Sequence, residues 1–460
     1  MEDPEYKGPK KDFIGIYSCG PTVYYTPHIG NLRATFTADL IRNTLKLLWY
    51  KVKAVMNITD VGHLVSDGDD GEDKMEKWAR RERKTAKEIA EQYEKIFKDN
   101  MKELNIDAFD VMPRATEHIQ KQIELIKTLE QKWYTYAVSW DGIYMDTSKV
   151  ENYGELMWPN YKKRLADLNA GERVDMKGKK NATDFALWKF SPEGEKRQME
   201  RESPWGIWFP GRHIECSAMS SEYLWEQFDI HHGWADHITI HHPNEIAQSE
   251  CAFDVHPRVK YRIHNEFLQV DWGKMSKSLG NIYSLEDIKN KDWGKFSPLD
   301  LRYFYFMAQY GSFQNFTWEQ LEAAKATRHS LTKKLQGKKV TKDKKEFEND
   351  PFYTQVIEAI YDNINTPKLL AAVQWAVSSE MENAYAIVTW LEDNFLKLWL
   401  FEPMIEEKYD IPAEVTTLAN QRIQAKQEKN YALADELRKK ISELWREVKD
   451  TKEGYEINKA

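Results

Sequence analysis

Cysteine is scarce in this sequence, since only three occur among 460 residues. Cys19, Cys216 and Cys251 are scattered and form no Cys-x-x-Cys pair, which argues against a disulfide framework and for a reducing compartment. The sequence also lacks an apolar run of about 18 residues and a basic-then-apolar leader, so it predicts neither a membrane span nor secretion. We therefore expect a cytoplasmic protein whose thiols act singly.

An excess of positive charge is missing as well. The net charge is -8 and the isoelectric point is near 5.9, so any nucleic-acid contact must come from a local patch. One candidate is the lysine-rich stretch between residues 325 and 345, which would serve equally well as a solvated linker between helices. The length of 460 residues allows two or three domains with sizeable cores.

A short motif near the start of the chain has the pattern of a phosphate-binding turn. An apolar run that begins at Gly15 ends in a turn, and His28-Ile29-Gly30-Asn31 then precedes a helical pattern from Leu32 to Leu48. Gly30 would let a nucleotide approach the backbone, and the helix N-terminus would offer N–H groups to phosphates. Taken alone, the motif fits an ordinary loop histidine equally well.

A second motif, far downstream, is richer in positive charge. The segment Gly273-Lys274-Met275-Ser276-Lys277-Ser278-Leu279-Gly280-Asn281 sets two lysines three residues apart in a loop with glycine and serine. Such a loop suits phosphate oxygens, and a solvated basic loop is the alternative. Together, the two motifs predict a split site for a triphosphate.

With both motifs, the sequence resembles the class I aminoacyl-tRNA synthetases, and the surrounding segments are similar to those of the cysteinyl-tRNA synthetases in particular. The similar segments follow in family order from about residue 14 to the C-terminus, so the resemblance covers nearly the whole chain. They include residues 19–24, 57–60, 114–116, 184–189, 213–219 and 244–249.

The resemblance implies an α/β fold: a doubly wound parallel sheet of the Rossmann-like class I type, with an inserted connecting domain and a C-terminal helical bundle. It also implies that the strand before Tyr17 is shortened, which would leave a sheet edge exposed. The implied divisions are the first half of the nucleotide-binding catalytic domain (1–115), the connecting insertion (116–184), the second half of the catalytic domain (185–265), a lysine-loop connector (266–315), a tRNA-binding helical bundle (316–408) and a small anticodon-binding region (409–460).

The resemblance further implies a monomeric ligase that activates L-cysteine with ATP to cysteinyl-adenylate and transfers it to the 3′ end of tRNA(Cys). Because the amino-acid carboxylate is already a nucleophile, the enzyme must mainly align the reactants and neutralise phosphate charge. The implied catalytic residues are His28, Lys274 and Lys277. The residues implied to bind ATP, with Mg²⁺, are His28, Gly30, Asn31, Asp236 and Lys277.

Four residues match the zinc ligands of that family, for one zinc ion per chain: Cys19, Cys216, His241 and Glu245. Spacing alone would leave them as a weak metal set, because a buried cysteine is more often a small hydrophobic residue. Zinc would explain how cysteine is told from serine. Size alone separates such pairs by about 1–3 kcal/mol, whereas a thiolate and a hydroxyl differ strongly as metal ligands. By this match, the adjacent His242 is not a ligand, and no long insertion resembles an editing domain.

Three residues are implied to line the amino-acid pocket: Thr59, Arg212 and Trp234. Residues 57–60 would also fit a simple turn at a strand end. Arg212 stands where the family typically has tryptophan, and Trp234 stands where it usually has a small glycine. Either the indole of Trp234 fills the space with Arg212 stacked on it, or the pocket accepts less nucleotide or a different substrate.

Two other functions stay open from the sequence. A related ligase uses the same motifs to activate cysteine and passes it to a small amine, but the helical segment after Leu369 argues against it. A catalytically impaired paralogue that only binds tRNA would account for Arg212 and Trp234. The intact His28 and lysine motifs argue against that second alternative.

Overall fold

The computed structural model describes residues 12–61, 74–157, 178–190, 200–276, 279–292, 294–403, 413–444, 446–451 and 454–459. The chain divides into two compact units, residues 1–285 with 298–402 and residues 286–297 with 403–460. The sheet edge expected from a shortened N-terminal strand falls within residues 1–11, outside the described part. Among the described residues, none of the helices combines the length and apolarity needed to cross a bilayer.

The strands are β1 (Ile14–Ser18), β2 (Val52–Met56), β3 (Thr135–Val138), β4 (Gly142–Met145), β5 (Phe185–Phe190), β6 (Arg201–Ser203), β7 (Gly206–Pro210), β8 (Phe228–Trp234), β9 (Val259–Asn265), β10 (Leu268–Val270), β11 (Gln314–Phe316), β12 (Arg446–Thr451) and β13 (Gly454–Lys459).

The helices are α1 (Ile29–Leu47), α2 (Lys74–Glu82), α3 (Ala86–Glu103), α4 (Ile119–Gln131), α5 (Arg212–Leu224), α6 (His241–Phe253), α7 (Leu285–Asn290), α8 (Pro298–Phe306), α9 (Trp318–Leu335), α10 (Pro351–Tyr361), α11 (Thr366–Ser378), α12 (Ala384–Leu391), α13 (Ala413–Gln427) and α14 (Tyr431–Glu443), and a π-helix covers Glu392–Leu396.

A parallel sheet in the order β2-β1-β8-β9 lies in the first unit. β1 is interior and four of its residues, 15–18, are buried, as expected for a strand covered on both faces. It pairs with β2 along its whole length and with residues 230–232 of β8. Helices α1 and α5 pack against this sheet. The predicted α/β fold with a parallel sheet is confirmed.

A second, antiparallel sheet has the order β3-β4-β5-β7-β6. β3 and β4 lie in the segment predicted as the connecting insertion. The sheet continues past the predicted boundary at residue 184, because Phe185 of β5 pairs with Met145 of β4, and Trp188 of β5 pairs with Pro210 of β7. The short strands β10 and β11 pair separately, in parallel, and β10 lies directly before the lysine motif.

From residue 298 to 402 the first unit is predominantly helical, as predicted. α10 and α11 begin at capping residues, Asp350 and Asn365, with a proline in each first turn. Lysines of the 325–345 stretch bond to neighbouring helices: Lys334 to Ser378 (2.8 Å), Lys339 to Asp393 (2.8 Å) and Lys342 to Asn383 (2.9 Å). These three lysines therefore help to pack the helices, which favours the linker interpretation for them.

The second unit is small. α13 packs against α14, and β12 pairs with β13 as an antiparallel hairpin. Its core contains Val415, Ala419, Ile441 and Val448. Helix α14 begins where Asn430 Oδ1 accepts a hydrogen bond from the Leu433 N–H at 3.2 Å.

Arg302 is a buried cation that joins three parts of the first unit. Its guanidinium donates to the carbonyl oxygens of Leu104 (2.9 Å), Leu396 (2.7 Å) and Phe395 (3.3 Å), and it lies 3.7 Å from the Asp39 carboxylate on α1. Because a guanidinium has several donors in a fixed fork, it can satisfy all of these acceptors at once. The end of α3, the π-helix and α1 are therefore held together at one point.

Replacing Arg302 by Met should destabilise the protein strongly. The change leaves buried carbonyl groups without donors and removes one of the cations facing Asp39, so we expect a loss of about 3–5 kcal/mol in the free energy of unfolding. Urea unfolding measures it. Lys127→Met, on the exposed face of α4, should change the same quantity by less than about 0.5 kcal/mol. Equal effects of the two variants would contradict the anchoring role.

Candidate active site

The carboxyl ends of the parallel strands meet at one edge of the sheet, and predicted site residues follow them. Cys19 follows β1, Thr59 follows β2, and Trp234 ends β8. The Cys19 N–H donates to the His232 carbonyl oxygen at 3.0 Å, and Thr22 forms a parallel bridge with Thr59. Ligands of open parallel sheets bind at such an edge.

The four predicted metal ligands lie together. Cys19, Cys216, His241 and Glu245 each offer one ligand atom, and these atoms all lie within 4.8 Å of one another. Cys216 comes from α5. His241 and Glu245 are one turn apart on α6, with His241 Nε2 2.7 Å from Glu245 Oε1. Two thiols, an imidazole and a carboxylate form a donor set that suits zinc, so the residues present fit a divalent metal ion.

Further histidines surround this group. His231 Nε2 lies 2.7 Å from Glu245 Oε2, and His231 Nδ1 lies 3.1 Å from the Tyr17 carbonyl oxygen. His213 Nδ1 lies 2.7 Å from His241 Nδ1. His231 thus contacts one predicted ligand, Glu245, and His213 contacts another, His241. Such partners fix the orientation of a metal ligand.

His242 also reaches the group, although it was not predicted to be a ligand. Its Nε2 lies 3.8 Å from Cys19 Sγ, and its Nδ1 lies 2.8 Å from His264 Nε2. Cys19, His231, His242 and Glu245 form a second set of ligand atoms within 4.8 Å of one another. The histidine pairs at 231–232 and 241–242 were the sequence signal that could have revealed the histidines around the metal group.

The electrostatics of the group prepare it for a cation. Burial opposes the charge on Glu245, but His231 and His241 outweigh it and hold the pKa of this carboxyl well below its usual range. Burial also opposes the charge on His241, yet Glu245 and Cys216 raise the pKa of His241 to about 10. A hydrogen bond from Cys19 lowers the pKa of the Cys216 thiol to about 6. At neutral pH a metal ion placed here would meet a carboxylate and a thiolate, and its binding would displace the proton from His241.

Thr59 is buried and held by a chain of hydrogen bonds. Its Oγ1 accepts from Asn57 Nδ2 at 3.0 Å and donates to Glu215 Oε2 at 3.3 Å. Asn57 Oδ1 accepts the Gly20 N–H at 2.9 Å, and a Cβ on Gly20 would lie 1.7 Å from the Asn57 carbonyl oxygen. Thr59 is therefore tied to the loop that carries Cys19, a connection that the sequence did not reveal.

His28 is the N-cap of α1. Its Nδ1 accepts the Asn31 N–H at 3.2 Å, and Asn31 Oδ1 accepts the His28 N–H at 3.1 Å. This reciprocal capping box gives Asn31 a structural role and fixes the His28 ring at the start of the helix. The helix N-terminus attracts phosphate at the same point.

The lysine motif contacts the start of α1, as a split site requires. The Ile29 N–H donates to the Tyr283 carbonyl oxygen at 2.8 Å. A Cβ on Gly30 would lie 2.4 Å from Met275 Cε, so the missing side chain leaves room for the loop. Lys274 is exposed, and Lys277 lies outside the described residues.

Asn281 closes the lysine loop, and sequence reasoning gave it no role. Its Oδ1 accepts the Ser276 N–H at 2.8 Å, and its Nδ2 donates to the Lys274 carbonyl oxygen at 3.2 Å. Gly280 before it has a φ of +64°. The Gly-Asn pair was the available signal, since both residue types favour tight turns.

The remaining predicted residues lie near the same sheet edge. Arg212 is the half-buried first residue of α5, Trp234 is half-buried at the end of β8, and Asp236 is exposed in the 3₁₀ turn Ala235–Ile238. A Cβ on Gly233 would lie 2.7 Å from both His237 Nδ1 and His242 Nε2. The stacking of Arg212 on Trp234 stays a prediction.

Comparisons with known proteins agree with this architecture. Residues 6–326 match the family model described as tRNA synthetases class I (C) catalytic domain. The methionyl-tRNA synthetase of Mycobacterium tuberculosis, solved with methionyl-adenylate, aligns with a TM-score of 0.56 over 85% of this chain and 88% of that chain. Its sequence identity is 15%, so this likeness concerns the fold alone.

Curated relatives match over almost their full length. Cysteine–tRNA ligase 1 of Burkholderia lata is 42% identical, over 96% of this chain and 92% of that protein. The cysteine–tRNA ligase of Treponema denticola is 41% identical over 94% of each chain, and that of Thermococcus gammatolerans is 37% identical over 98% of this chain and 95% of its own. The class I fold, the two motifs in contact and these matches show that the chain belongs to the cysteine–tRNA ligase family of class I aminoacyl-tRNA synthetases.

Proposed function

We propose that this chain activates L-cysteine with ATP to cysteinyl-adenylate and transfers the cysteinyl group to the 3′ end of tRNA(Cys). The observation that carries the proposal is the convergence of Cys19, Cys216, His241 and Glu245 at the ligand edge of the parallel sheet. A thiol-rich donor set suits a site that selects a thiol substrate. The curated relatives of similar length bear the name cysteine–tRNA ligase, which supports the same activity.

The two alternative functions have less support. The relatives match this chain over 94–98% of its length, which includes the C-terminal helical region. A ligase that passes cysteine to a small amine would not need that region. None of the three relatives is named as an inactive tRNA-binding protein, and the contact between the His28 and lysine motifs supports a working nucleotide site.

Cys19, Cys216, His241 and Glu245 would hold one zinc ion, which when bound accepts the substrate thiolate. His231 faces the second carboxylate oxygen of Glu245, and His213 faces the other ring nitrogen of His241, so both orient a ligand. Serine would bring a hydroxyl, a much poorer ligand. The same residues therefore bind the metal and set the amino-acid preference.

Activation needs alignment and charge neutralisation, since the cysteine carboxylate attacks the α-phosphorus of ATP and pyrophosphate leaves. His28, fixed by Asn31, contributes to this at the start of α1. Lys274 and Lys277 contribute from the loop that passes over Gly30. Mg²⁺ would accompany the ATP phosphates, and Asp236 would contact the nucleotide.

The remaining assignments are proposals from the family. Thr59, Arg212 and Trp234 would line the amino-acid pocket, and residues 316–408 and 409–460 would bind the body and the anticodon of tRNA(Cys). We propose a cytoplasmic monomer without a membrane partner. The six-part division of the chain belongs with these proposals.

Cysteine-dependent exchange of pyrophosphate into ATP tests the proposed function. Zinc-loaded protein should exchange with cysteine and reject serine by more than the roughly 10–200-fold that a size difference alone provides. The Arg212→Trp variant should be measured alongside. Absence of exchange in zinc-loaded protein purified from its own cells would refute the proposal, and exchange that appears only in the Arg212→Trp variant would indicate a changed or lost substrate. Charging of tRNA(Cys) then separates a synthetase from a small-amine ligase.

Replacing Cys216 by Ser should weaken zinc binding and remove the preference for cysteine. Loss of a direct ligand should cost more than the roughly 10–100-fold in metal affinity typical of an outer partner. Competition with a zinc chelator measures the affinity. Cys251→Ser is the matched control, because Cys251 is half-buried and lies outside both groups of ligand atoms. Equal zinc affinity in the two variants would remove Cys216 from the metal site.

Gly30→Ala should slow activation without unfolding the protein. The new Cβ would press on Met275 Cε at 2.4 Å, the flexible end of a side chain, and less severely on His28 Nδ1 at 3.0 Å, so the lysine loop should shift while the core stays intact. A shift of about 1 Å at reacting groups can cost about 100-fold in rate. Pyrophosphate exchange measures the loss. The double variant Gly30→Ala/Met275→Ala should recover part of it, and the absence of any recovery would contradict this contact.

A further inference from the structure

Five tryptophans adopt a backbone conformation that a side chain disfavours. Among the described residues, fifteen residues other than glycine have positive φ, and five of them are Trp49 (67°), Trp133 (66°), Trp225 (69°), Trp272 (60°) and Trp399 (57°). The left-handed region is sterically costly for residues with a Cβ, although asparagine and aspartate tolerate it. A bulky aromatic residue has no such local compensation, so five cases in one chain need an explanation.

Two of these tryptophans close Schellman motifs. After α1, the Trp49 N–H donates to the Lys46 carbonyl oxygen at 2.9 Å, and the Tyr50 N–H donates to that of Leu45 at 3.0 Å. The same pair of bonds follows α4, where Trp133 takes the corresponding place. This position after a helix is usually glycine and sometimes asparagine.

Helix α3 ends with the same geometry and an acceptable residue. The Asn105 N–H donates to the Lys102 carbonyl oxygen at 3.0 Å, and the Ile106 N–H donates to that of Met101 at 2.9 Å. Asn105 has a φ of 51°. The three helix ends therefore share one backbone design, and tryptophan is the residue type that does not suit it.

Two further positions, 225 and 272, favour glycine as strongly. Trp225 has a φ of 69° and a ψ of -178°, a region essentially restricted to glycine. Asp271 and Trp272 are the central residues of a two-residue hairpin turn, closed by hydrogen bonds between Val270 and Gly273 at 2.9 and 3.0 Å. With positive φ at both central residues, this turn prefers Asp-Gly, and the chain has Asp-Trp.

Burial does not offset the strain at the most exposed of these positions. Trp133, Trp272 and Trp49 are 79%, 75% and 72% exposed, the highest values among the exposed large hydrophobic residues of the described part.

The amino-acid composition also indicates that tryptophan replaces glycine in this sequence. An average glycine content of about 7% would give about 32 glycines in a chain of this length, whereas the sequence has 21 glycines and 17 tryptophans.

We infer that residues 49, 133, 225, 272 and 399 are glycine positions, and that the protein made in its own cells carries glycine there because a codon translated as tryptophan is read as glycine. The tryptophan at 234 belongs to the same set, since the family usually has glycine there. This assignment rests on the proposed function. It means that the protein with glycine at these positions is the active form. The end of β8 would then be open to ATP, and no indole would stand beside the lysine loop.

Peptide mass spectrometry of the protein isolated from its own cells tests the assignment directly. Peptides covering residues 49, 133 and 272 should have the masses of glycine peptides. Trp188 is the internal control, because it is fully buried in β5 and should be tryptophan. Tryptophan at 272 in the isolated protein would overturn the inference.

Thermal unfolding of recombinant protein gives an independent test. The triple variant Trp49→Gly/Trp133→Gly/Trp272→Gly should raise Tm by several degrees over the chain with tryptophan, because strain is removed and little apolar area is lost. Trp375→Gly is the matched control, since Trp375 is 52% exposed but lies in the regular helix α11. That variant should lower Tm. A triple variant that unfolds at the same or a lower temperature than the parent would overturn the inference.

An alternative is that the exposed indole of Trp272 stacks on a nucleobase of the tRNA. Activity measurements decide between this function and the glycine assignment. Trp272 is close in sequence to Lys274, and exposed aromatic residues can stack on nucleobases. If Trp272 binds RNA, Trp272→Gly should raise the KM for tRNA(Cys) at least several-fold while Trp272→Phe retains it, and this result would refute the glycine assignment. We expect an unchanged or lower KM for tRNA(Cys) in Trp272→Gly, and faster cysteine-dependent pyrophosphate exchange in Trp234→Gly.

Discussion

Helix α1 is buried along nearly its whole length, so its polar side chains need partners, either within the helix or from another segment. Arg33 donates to the carbonyl oxygens of Glu266, Gln309 and Ser312, and the Tyr305 hydroxyl donates to the Ile29 carbonyl oxygen at 2.7 Å. The partners come from the lysine-loop segment and the helical region. The helix that carries His28 is therefore held in place by contacts from both segments.

The metal group depends on distant segments in the same way. Its ligands come from the loop after β1 and from two helices, α5 and α6, which must lie side by side. Gln248 on α6 joins the two helices, since its Nε2 donates to the His213 carbonyl oxygen and to Ser217 Oγ of α5, both at 2.6 Å. His213 in turn contacts the ligand His241. A metal that discriminates by ligand type needs ligands that do not rearrange, and this buried polar layer restrains them.

The parts of the site that could be predicted are those that are local in sequence. The turn at His28 and the lysine loop each occupy a few consecutive residues with recognisable turn chemistry. The metal ligands came from family resemblance, because nothing in the chain places Cys19 beside Cys216. The contacts of His213 are tertiary and have no local pattern, whereas the closure of the loop by Asn281 is local and the Gly280-Asn281 pair was its signal. β5 shows a further limit, since a short apolar strand fits an antiparallel sheet as well as a parallel one.

Backbone strain in enzymes is ordinarily retained where function needs it and where surrounding contacts offset its cost. Trp49 and Trp133 follow neither condition, because they terminate helices at ends that carry no predicted site residue and their indoles are largely in solvent. The Lys344 ammonium lies 5.3 Å from the Trp49 ring, but such a contact contributes about 0.5–1 kcal/mol, less than the roughly 1–2 kcal/mol that the left-handed conformation costs. Asn105 occupies the equivalent place after α3 and shows what this backbone accepts. When a local rule is broken repeatedly and without compensation, the residue type is the inconsistent element and the backbone is the consistent one. The fold thus specifies glycine at positions where the sequence has tryptophan.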